Sequence, residues 1–172
     1  MKNLNVGIIG GSIAGCATAI SLSKLGHHVK LYERSLGKLE DRGAGIGLPI
    51  PTLENLQSRG LLGVNFPYLT ISDRYYKIPN EEYMGRTIWT QSIGDLALTN
   101  WGSLYRDLRS RVSDEIYHAG QPVTKIDQDE QSASIHFTDN SIERFDLVIC
   151  ADGVDSLGRA TVCPPAKVNY AG

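Results

Sequence analysis

Asn5-Val-Gly-Ile-Ile9 followed by Gly10-Gly-Ser-Ile-Ala-Gly15 opens the chain and decides how everything after it is read. An apolar run ends in two glycines, and Ile13, Cys16, Ala17 and Ile20 then fall at i, i+3, i+4 and i+7, the spacing of one apolar helix stripe. This predicts a strand over 5–9, a tight turn, and a helix over 13–25 that Gly26 stops. His28 to Tyr32 gives the next strand, which completes a βαβ unit. Gly10 permits the turn, Gly15 lets the helix pack closely on the strand, and the helix start offers free N–H groups to a pyrophosphate. Glu33 follows Gly10 by 23 positions, where a carboxylate accepts ribose hydroxyls and repels a 2′-phosphate. The ligand class is therefore an adenine dinucleotide without that phosphate, FAD or NAD. Ser12 replaces the middle glycine of the G-x-G-x-x-G pattern, adding one small hydroxyl side chain near the phosphates. The predicted contacts here are Gly10, Gly11, Ser12, Ile13, Ala14, Gly15, Glu33 and Arg34.

Bulk properties narrow the class. The 172 residues are 41% hydrophobic, enough for a core, and 17 basic against 19 acidic residues give a net charge of −2. No Lys/Arg run tracks a phosphate backbone, so nucleic acid is not an expected partner. No stretch approaches the roughly 20 apolar residues of a membrane span, and a cytoplasmic protein is expected. Cys16, Cys150 and Cys163 are odd in number and widely spaced, which suggests neither a disulfide framework nor a zinc site; Cys16 and Cys150 read as small core residues. His27, His28, His118 and His136 lack a neighbouring nucleophile with triad logic.

Further along, residues 35–50 hold a Gly-rich loop, Arg42-Gly-Ala-Gly-Ile-Gly-Leu-Pro, where missing side chains let backbone approach a ligand. A short helix is predicted from Thr52 to Arg59. The aromatic stretch from Phe66 to Trp89, with Pro67 and Pro79, excludes long helices, and Tyr68 to Tyr75 reads as strand; its aromatics are assigned to packing rather than to a substrate box. Trp101, Leu104, Leu108 and Val112 restore helical spacing, and Ile116-Tyr117 reads as a short return to the sheet. Val123 to Ile126, Ser132 to Phe137 and Ile142 to Phe145 form a β-meander. Leu147-Val-Ile-Cys150 is apolar on both faces, as expected of a central parallel strand, and runs into Asp152-Gly153.

The stretch Asp146-Leu-Val-Ile-Cys-Ala-Asp152-Gly153-Val-Asp-Ser156-Leu-Gly-Arg159 resembles the Asp-Gly fingerprint of the class A FAD-dependent aromatic-ring monooxygenases. Gly43-Ala-Gly-Ile-Gly-Leu48 and Gly120-Gln-Pro-Val123 resemble further motifs of that family, in the same order, over nearly the whole chain. The Gly-Gly-Ser variant and the aromatic middle are most similar to its 2,6-dihydroxypyridine hydroxylase branch. The resemblance implies an α/β fold, an FAD-type Rossmann βαβ with β-meander plus the beginning of a mixed-sheet substrate domain. It divides the chain into an FAD-binding domain, 1–65 and 98–172, and a partial substrate-domain insertion, 66–97. Family members are longer, so the chain is expected to be C-terminally truncated relative to them and inactive alone.

By the same resemblance Asp152 contacts FAD near its phosphates and ribitol, and Gly153 lets the backbone approach. Arg42, Gly45, Gly47 and Val123 join the flavin contacts, although a solvated Arg42 reads equally well. The family often carries an arginine three residues before a leucine on the helix from Trp101. That register falls on Tyr105, with Arg106 one position away and turned by about 100°, so both are kept. Ser156 is a natural cap for the helix after it, and Arg159 faces either the phosphates or an acid. The implied chemistry is reduction of FAD by NADH or NADPH, formation of a flavin C4a-hydroperoxide, and hydroxylation of a small aromatic or heteroaromatic substrate, with catalytic side chains unassigned. A homodimer is compatible with it. An NAD-dependent dehydrogenase and a non-catalytic flavin-binding fragment remain the alternatives; the dehydrogenase would need another βαβ crossover by about residue 60.

Overall fold

A computed structural model describes residues 2–37, 39, 45–81 and 85–163. In chain order its elements are β1 (Asn5–Ile9), α1 (Ile13–Lys24), β2 (His28–Glu33), β3 (Gly45–Pro49), α2 (Ile50–Ser58), β4 (Leu69–Ile78) and β5 (Arg86–Asn100). After these come α3 (Trp101–Arg109), β6 (Tyr117–Ala119), β7 (Val123–Gln128), β8 (Ala133–Phe137), β9 (Ile142–Phe145), β10 (Leu147–Cys150) and α4 (Leu157–Val162). The chain forms two compact units, Met1–Asp41 with Tyr105–Gly172, and Arg42–Leu104.

The first unit is built on a parallel sheet ordered β10-β1-β2-β6. Side chains alternate between the two faces of a strand, and β1 uses this fully. Ile8 and Leu31, paired in register and fully buried, face α1, where Leu31 Cδ1 lies 3.6 Å from the position a β-carbon on Gly15 would take. The other face of β1 carries Gly7 and Ile9. The meander β7-β8-β9 packs there: a β-carbon on Gly7 would stand 2.8 Å from Phe145 and 2.9 Å from Ile135. Ile9, Tyr32, Ile135, Phe137 and Phe145 form the core of that face. Burying each such side chain contributes about 1.5–3 kcal/mol, so the sandwich rests on the glycine that lets the layers touch.

Three sequence readings change. The buried residues of α1 are Gly15, Cys16, Ala19 and Ile20, whereas Ile13 and Ala17 are half-buried; the inward stripe is rotated because Gly15 itself sits against the turn. Among the described residues β10 pairs only with β1, at an edge of this sheet where the sequence reading expected a central strand. Its apolar run answers to the layers on its two faces, α4 and β8, rather than to a strand on each side. Cys150, read as core, is exposed, because it ends that edge strand.

After β2 the next strand of the parallel sheet is β6, reached only after residue 104. The early second crossover that a nicotinamide dehydrogenase requires is replaced by the separate unit.

That second unit is an antiparallel sheet ordered β3-β5-β4, beside which α2 starts at Ile50 with proline in its first turn. Leu53, Leu61, Leu62, Phe66 and Ala97 are buried. Tyr76 and Trp89 stack across the β4–β5 pair with ring centres 4.7 Å apart. Tyr75 and Trp89 nevertheless stay 58% and 55% exposed, so the aromatic segment is packing in part only.

Candidate functional site

The turn between β1 and α1 is held from three sides. Gly10 adopts φ +100°, a region that side chains disfavour, and donates its N–H to Tyr32 O at 2.8 Å. A β-carbon on Gly15 would lie 1.8 Å from Gly10 O, so α1 begins as close to the strand as backbone allows. Ser12 is the N-cap of α1 but its side chain makes no capping bond, and no acidic residue occupies the first turn. The helix start therefore keeps its N–H groups and its positive end for an anion.

Glu33, at the end of β2, is 6% exposed. Its Oε2 accepts the Gly11 N–H at 2.8 Å and its Oε1 accepts the Ser35 N–H at 2.9 Å. A carboxylate has about four acceptor positions, so two bonds leave capacity for hydroxyl donors from a ribose.

The parallel register Ile9↔Cys150 delivers residues 151–153 beside the same turn. Ala151 N–H donates to Ile9 O at 2.7 Å, and a β-carbon on Gly10 would stand 2.3 Å from Ala151 O and 3.0 Å from the Asp152 Cα. The two motifs, far apart in sequence, share one cradle. The Asp152 carboxylate, however, turns toward α4. It accepts Ser156 Oγ–H at 2.6 Å, Leu157 N–H at 2.7 Å and Gly158 N–H at 3.4 Å. Ser156 Oγ in turn accepts the Arg159 N–H, the cap anticipated for it, and the Arg159 guanidinium donates to Val154 O. Gly153 has φ +83° with nothing within 4 Å of its missing side chain.

A residue that sequence reasoning did not assign to the site sits beneath the turn. Tyr117, first in β6, donates its hydroxyl to Gly11 O at 3.2 Å. A β-carbon on Gly11 would collide with the Tyr117 hydroxyl at 2.5 Å and with Glu33 Cβ at 2.7 Å. Tyr105 Oη lies 3.3 Å from Tyr117 Oη, and the Arg109 guanidinium carbon lies 3.9 Å above the centre of the Tyr117 ring. Arg109 is itself held by Val112 O at 2.9 Å and by Asp114. Burial, then the Tyr105 hydroxyl, holds the Tyr117 phenol above its usual range, so it stays a neutral donor. Burial likewise pushes the Cys16 thiol up to about 12, and that thiol also donates to Gly11 O, at 3.2 Å. The one signal for this arrangement in the sequence was the second glycine of Gly10-Gly11.

The remaining predicted contacts are scattered. Arg34 is exposed directly after Glu33, Tyr105 is buried, and Arg106 on the next position of α3 is exposed. Val123 opens β7, paired with Phe137 and packed against the meander core. Gly45 and Gly47 lie on β3, in the other unit, and Arg42 lies outside the described residues. Cavities of about 250 and 580 Å³ open elsewhere. The first is lined by Ser132, Cys150 and Thr161 among others, the second by His27, Lys30 and Glu143; neither touches the glycine turn, whose shape is an open cradle. Among the described residues no helix is long and apolar enough to cross a membrane.

No protein-family model matches the chain. The chain is 25% identical to 6-hydroxynicotinate 3-monooxygenase of Bordetella bronchiseptica, over 97% of its own length and 45% of the relative's. It is 28% identical to salicylate hydroxylase of Pseudomonas putida, over 94% and 40%. It is 30% identical to the FAD-dependent monooxygenase ntnJ of Nectria sp, over 92% and 38%. The structure of 2,6-dihydroxypyridine-3-hydroxylase from Arthrobacter nicotinovorans superposes with a TM-score of 0.83 at 26% identity, covering 99% of this chain and 42% of that one. The resemblance to the aromatic-ring monooxygenases thus holds in sequence and in fold, and the chain spans less than half the length of the curated relatives it matches.

Proposed function

We propose that the first unit binds FAD, and that the chain is the flavin-binding part of an NAD(P)H-dependent monooxygenase acting on a small aromatic or N-heteroaromatic ring. The observation that carries this reading is the approach of Asp152 to Gly10, because it joins the Asp-Gly segment to the phosphate turn in one place. The group fits the residues present. The glycine turn is too close-packed for side chains, the helix start is uncapped, and a buried carboxylate ends the neighbouring strand, bonded to the Gly11 N–H. In this assignment the backbone N–H groups from Ser12 to Gly15 at the start of α1 receive the pyrophosphate, Ser12 adds its hydroxyl, and Gly10 and Gly11, whose own N–H groups are held by Tyr32 O and Glu33, let the backbone come close. Glu33 holds the ribose and disfavours a 2′-phosphate; Arg34, Tyr105, Arg106 and Val123 are kept as contacts on the family resemblance alone. Asp152 acts by fixing α4 and the backbone of 151–153 against the turn, and Gly153 keeps that backbone bare. Arg42, Gly45 and Gly47 are kept as flavin contacts on the family resemblance alone. Bound FAD supplies the redox chemistry that no side chain here provides; the chain's own part is to bind and orient it.

Titrating FAD into the protein while following flavin fluorescence tests the reading. Saturable quenching that NAD does not reverse is expected, followed by NADPH oxidation stimulated by an aromatic substrate in the longer polypeptide. Binding of NAD in preference to FAD would replace the proposal with the dehydrogenase alternative.

A further inference from the structure

The peptide group joining Gly11 to Ser12 is gripped in a way the dinucleotide pattern does not require. Its carbonyl oxygen accepts the Tyr117 hydroxyl at 3.2 Å and the Cys16 thiol at 3.2 Å. The amide on the other side of Gly11 is fixed by Glu33 at 2.8 Å. Gly11 has no side chain because Tyr117 Oη and Glu33 Cβ occupy its place. The second glycine of the turn thus makes room for a tyrosine from within the protein.

We infer that Tyr117 is a positioning residue for the pyrophosphate of the bound dinucleotide, acting through the Gly11–Ser12 peptide. The inference rests on the proposed nucleotide site and adds to it a residue from another strand. Two effects follow from the geometry. First, hydrogen bonds to a carbonyl polarise its peptide, so the N–H at the other end, here that of Ser12, becomes a better donor. Ser12 opens α1 with no side-chain cap, where an anion is favoured. Second, the donor is part of a relay. Tyr105 Oη is 3.3 Å from Tyr117 Oη, so the Tyr105 hydroxyl donates to Tyr117 while Tyr117 donates to Gly11 O. The Arg109 cation over the ring at 3.9 Å draws on the ring's electrons and, held by Val112 O and Asp114, keeps the ring in place. The relay delivers no proton; it orients one dipole.

Tyr117→Phe removes only the hydroxyl and keeps the ring under Arg109, and Tyr105→Phe cuts the relay one bond earlier. Dissociation constants for FAD and for ADP, which has the pyrophosphate but no flavin, are measured on the wild type and both variants, with the melting temperature of the ligand-free protein and the ³¹P NMR shifts of bound ADP. The loss of one hydrogen bond corresponds to about a three- to tenfold change in an equilibrium constant. The expectation is therefore a rise of that size in both constants for Tyr117→Phe and a smaller one for Tyr105→Phe. The bound ³¹P shifts should move, and the ligand-free melting temperature should fall modestly, because the Tyr117 bond to Gly11 O is present without ligand and its loss costs stability too. Wild-type-like affinities in Tyr117→Phe, or a lowered melting temperature with unchanged ³¹P shifts, overturn the positioning role while leaving the flavin proposal intact. Failure of the wild type to bind either ligand overturns both. ADP binding weakened by Tyr117→Phe, with no preference for FAD, supports the positioning role and overturns the flavin assignment alone.

Discussion

Glu33 Oε2 and the Gly11 amide nitrogen stand 2.8 Å apart, so the carboxylate proposed to hold a ribose also locks the turn proposed to receive the phosphates. The two functions of the site share one buried side chain.

Glu33→Gln therefore has a double cost. One amide N–H₂ must face the N–H of Gly11 or of Ser35, leaving a buried donor without an acceptor, which costs about 1–3 kcal/mol. Urea denaturation should show that loss without ligand. FAD affinity should fall by about tenfold or more, as expected for a hydrogen bond to a charged group, and a variant with wild-type stability and affinity would contradict the arrangement.

Gly10 and Gly153 both have positive φ, and alanine separates them. At Gly153 the added methyl meets open space, so only the backbone cost of about 1–2 kcal/mol applies. At Gly10 the methyl would be 2.3 Å from Ala151 O, and backbone cannot yield as a side chain can. Thermal melts should show Gly153→Ala folded with a modestly lower Tm and Gly10→Ala either unfolded or unable to retain FAD.

Asp152→Ala should act first on α4. Loss of an N-terminal cap costs about 0.5–2 kcal/mol, and the two amides it now accepts, those of Leu157 and Gly158, should exchange hydrogen faster. Hydrogen exchange on the ligand-free protein measures this directly; unchanged protection at both amides would mean the carboxylate points elsewhere in solution.

Burial holds the Cys16 thiol up to about 12 against an ordinary value of 9.0, so the folded state keeps a proton that the unfolded state releases. Stability from this source is complete below about pH 9 and falls between pH 9 and 12 by at most about 1.4 kcal/mol per pH unit. In Cys16→Ala the fall in stability from pH 8 to 10.5 in urea titrations should be shallower than in the wild type, the remainder coming from Cys150, Tyr32 and Tyr117, whose groups burial also raises. The native wild type should leave Cys16 unlabelled by iodoacetamide at pH 8, with labelling only after unfolding.

Much of this architecture was open to sequence reading because its signals are local. Val6, Ile8 and the glycines after them mark a buried strand and turn, alternation in Ala133, Ile135 and Phe137 marks β8, and the chemistry of Glu33 follows from its distance to Gly10. What escaped depended on pairing across the chain. Tyr117 lies in a three-residue strand with no period to read, and its role appears only when β6 is set beside β2. The edge position of β10 and the exposure of Cys150 were hidden because an apolar run reports covered faces and says nothing of its edges. The Asp152 side chain had two possible partners, phosphate or helix, and only the geometry of Ser156 and Leu157 favours the second.

The sheet order has a consequence for how the protein is made. The Asn5 N–H reaches the Asp146 carboxylate at 2.7 Å across 141 positions of chain, and β1 lies between β2 and β10. At about 5–20 residues per second, a ribosome leaves that flank of the earliest strand bare for roughly 7–28 s. An unpaired strand edge recruits other chains, so a holdase chaperone present during synthesis should favour soluble yield more than any change to the core.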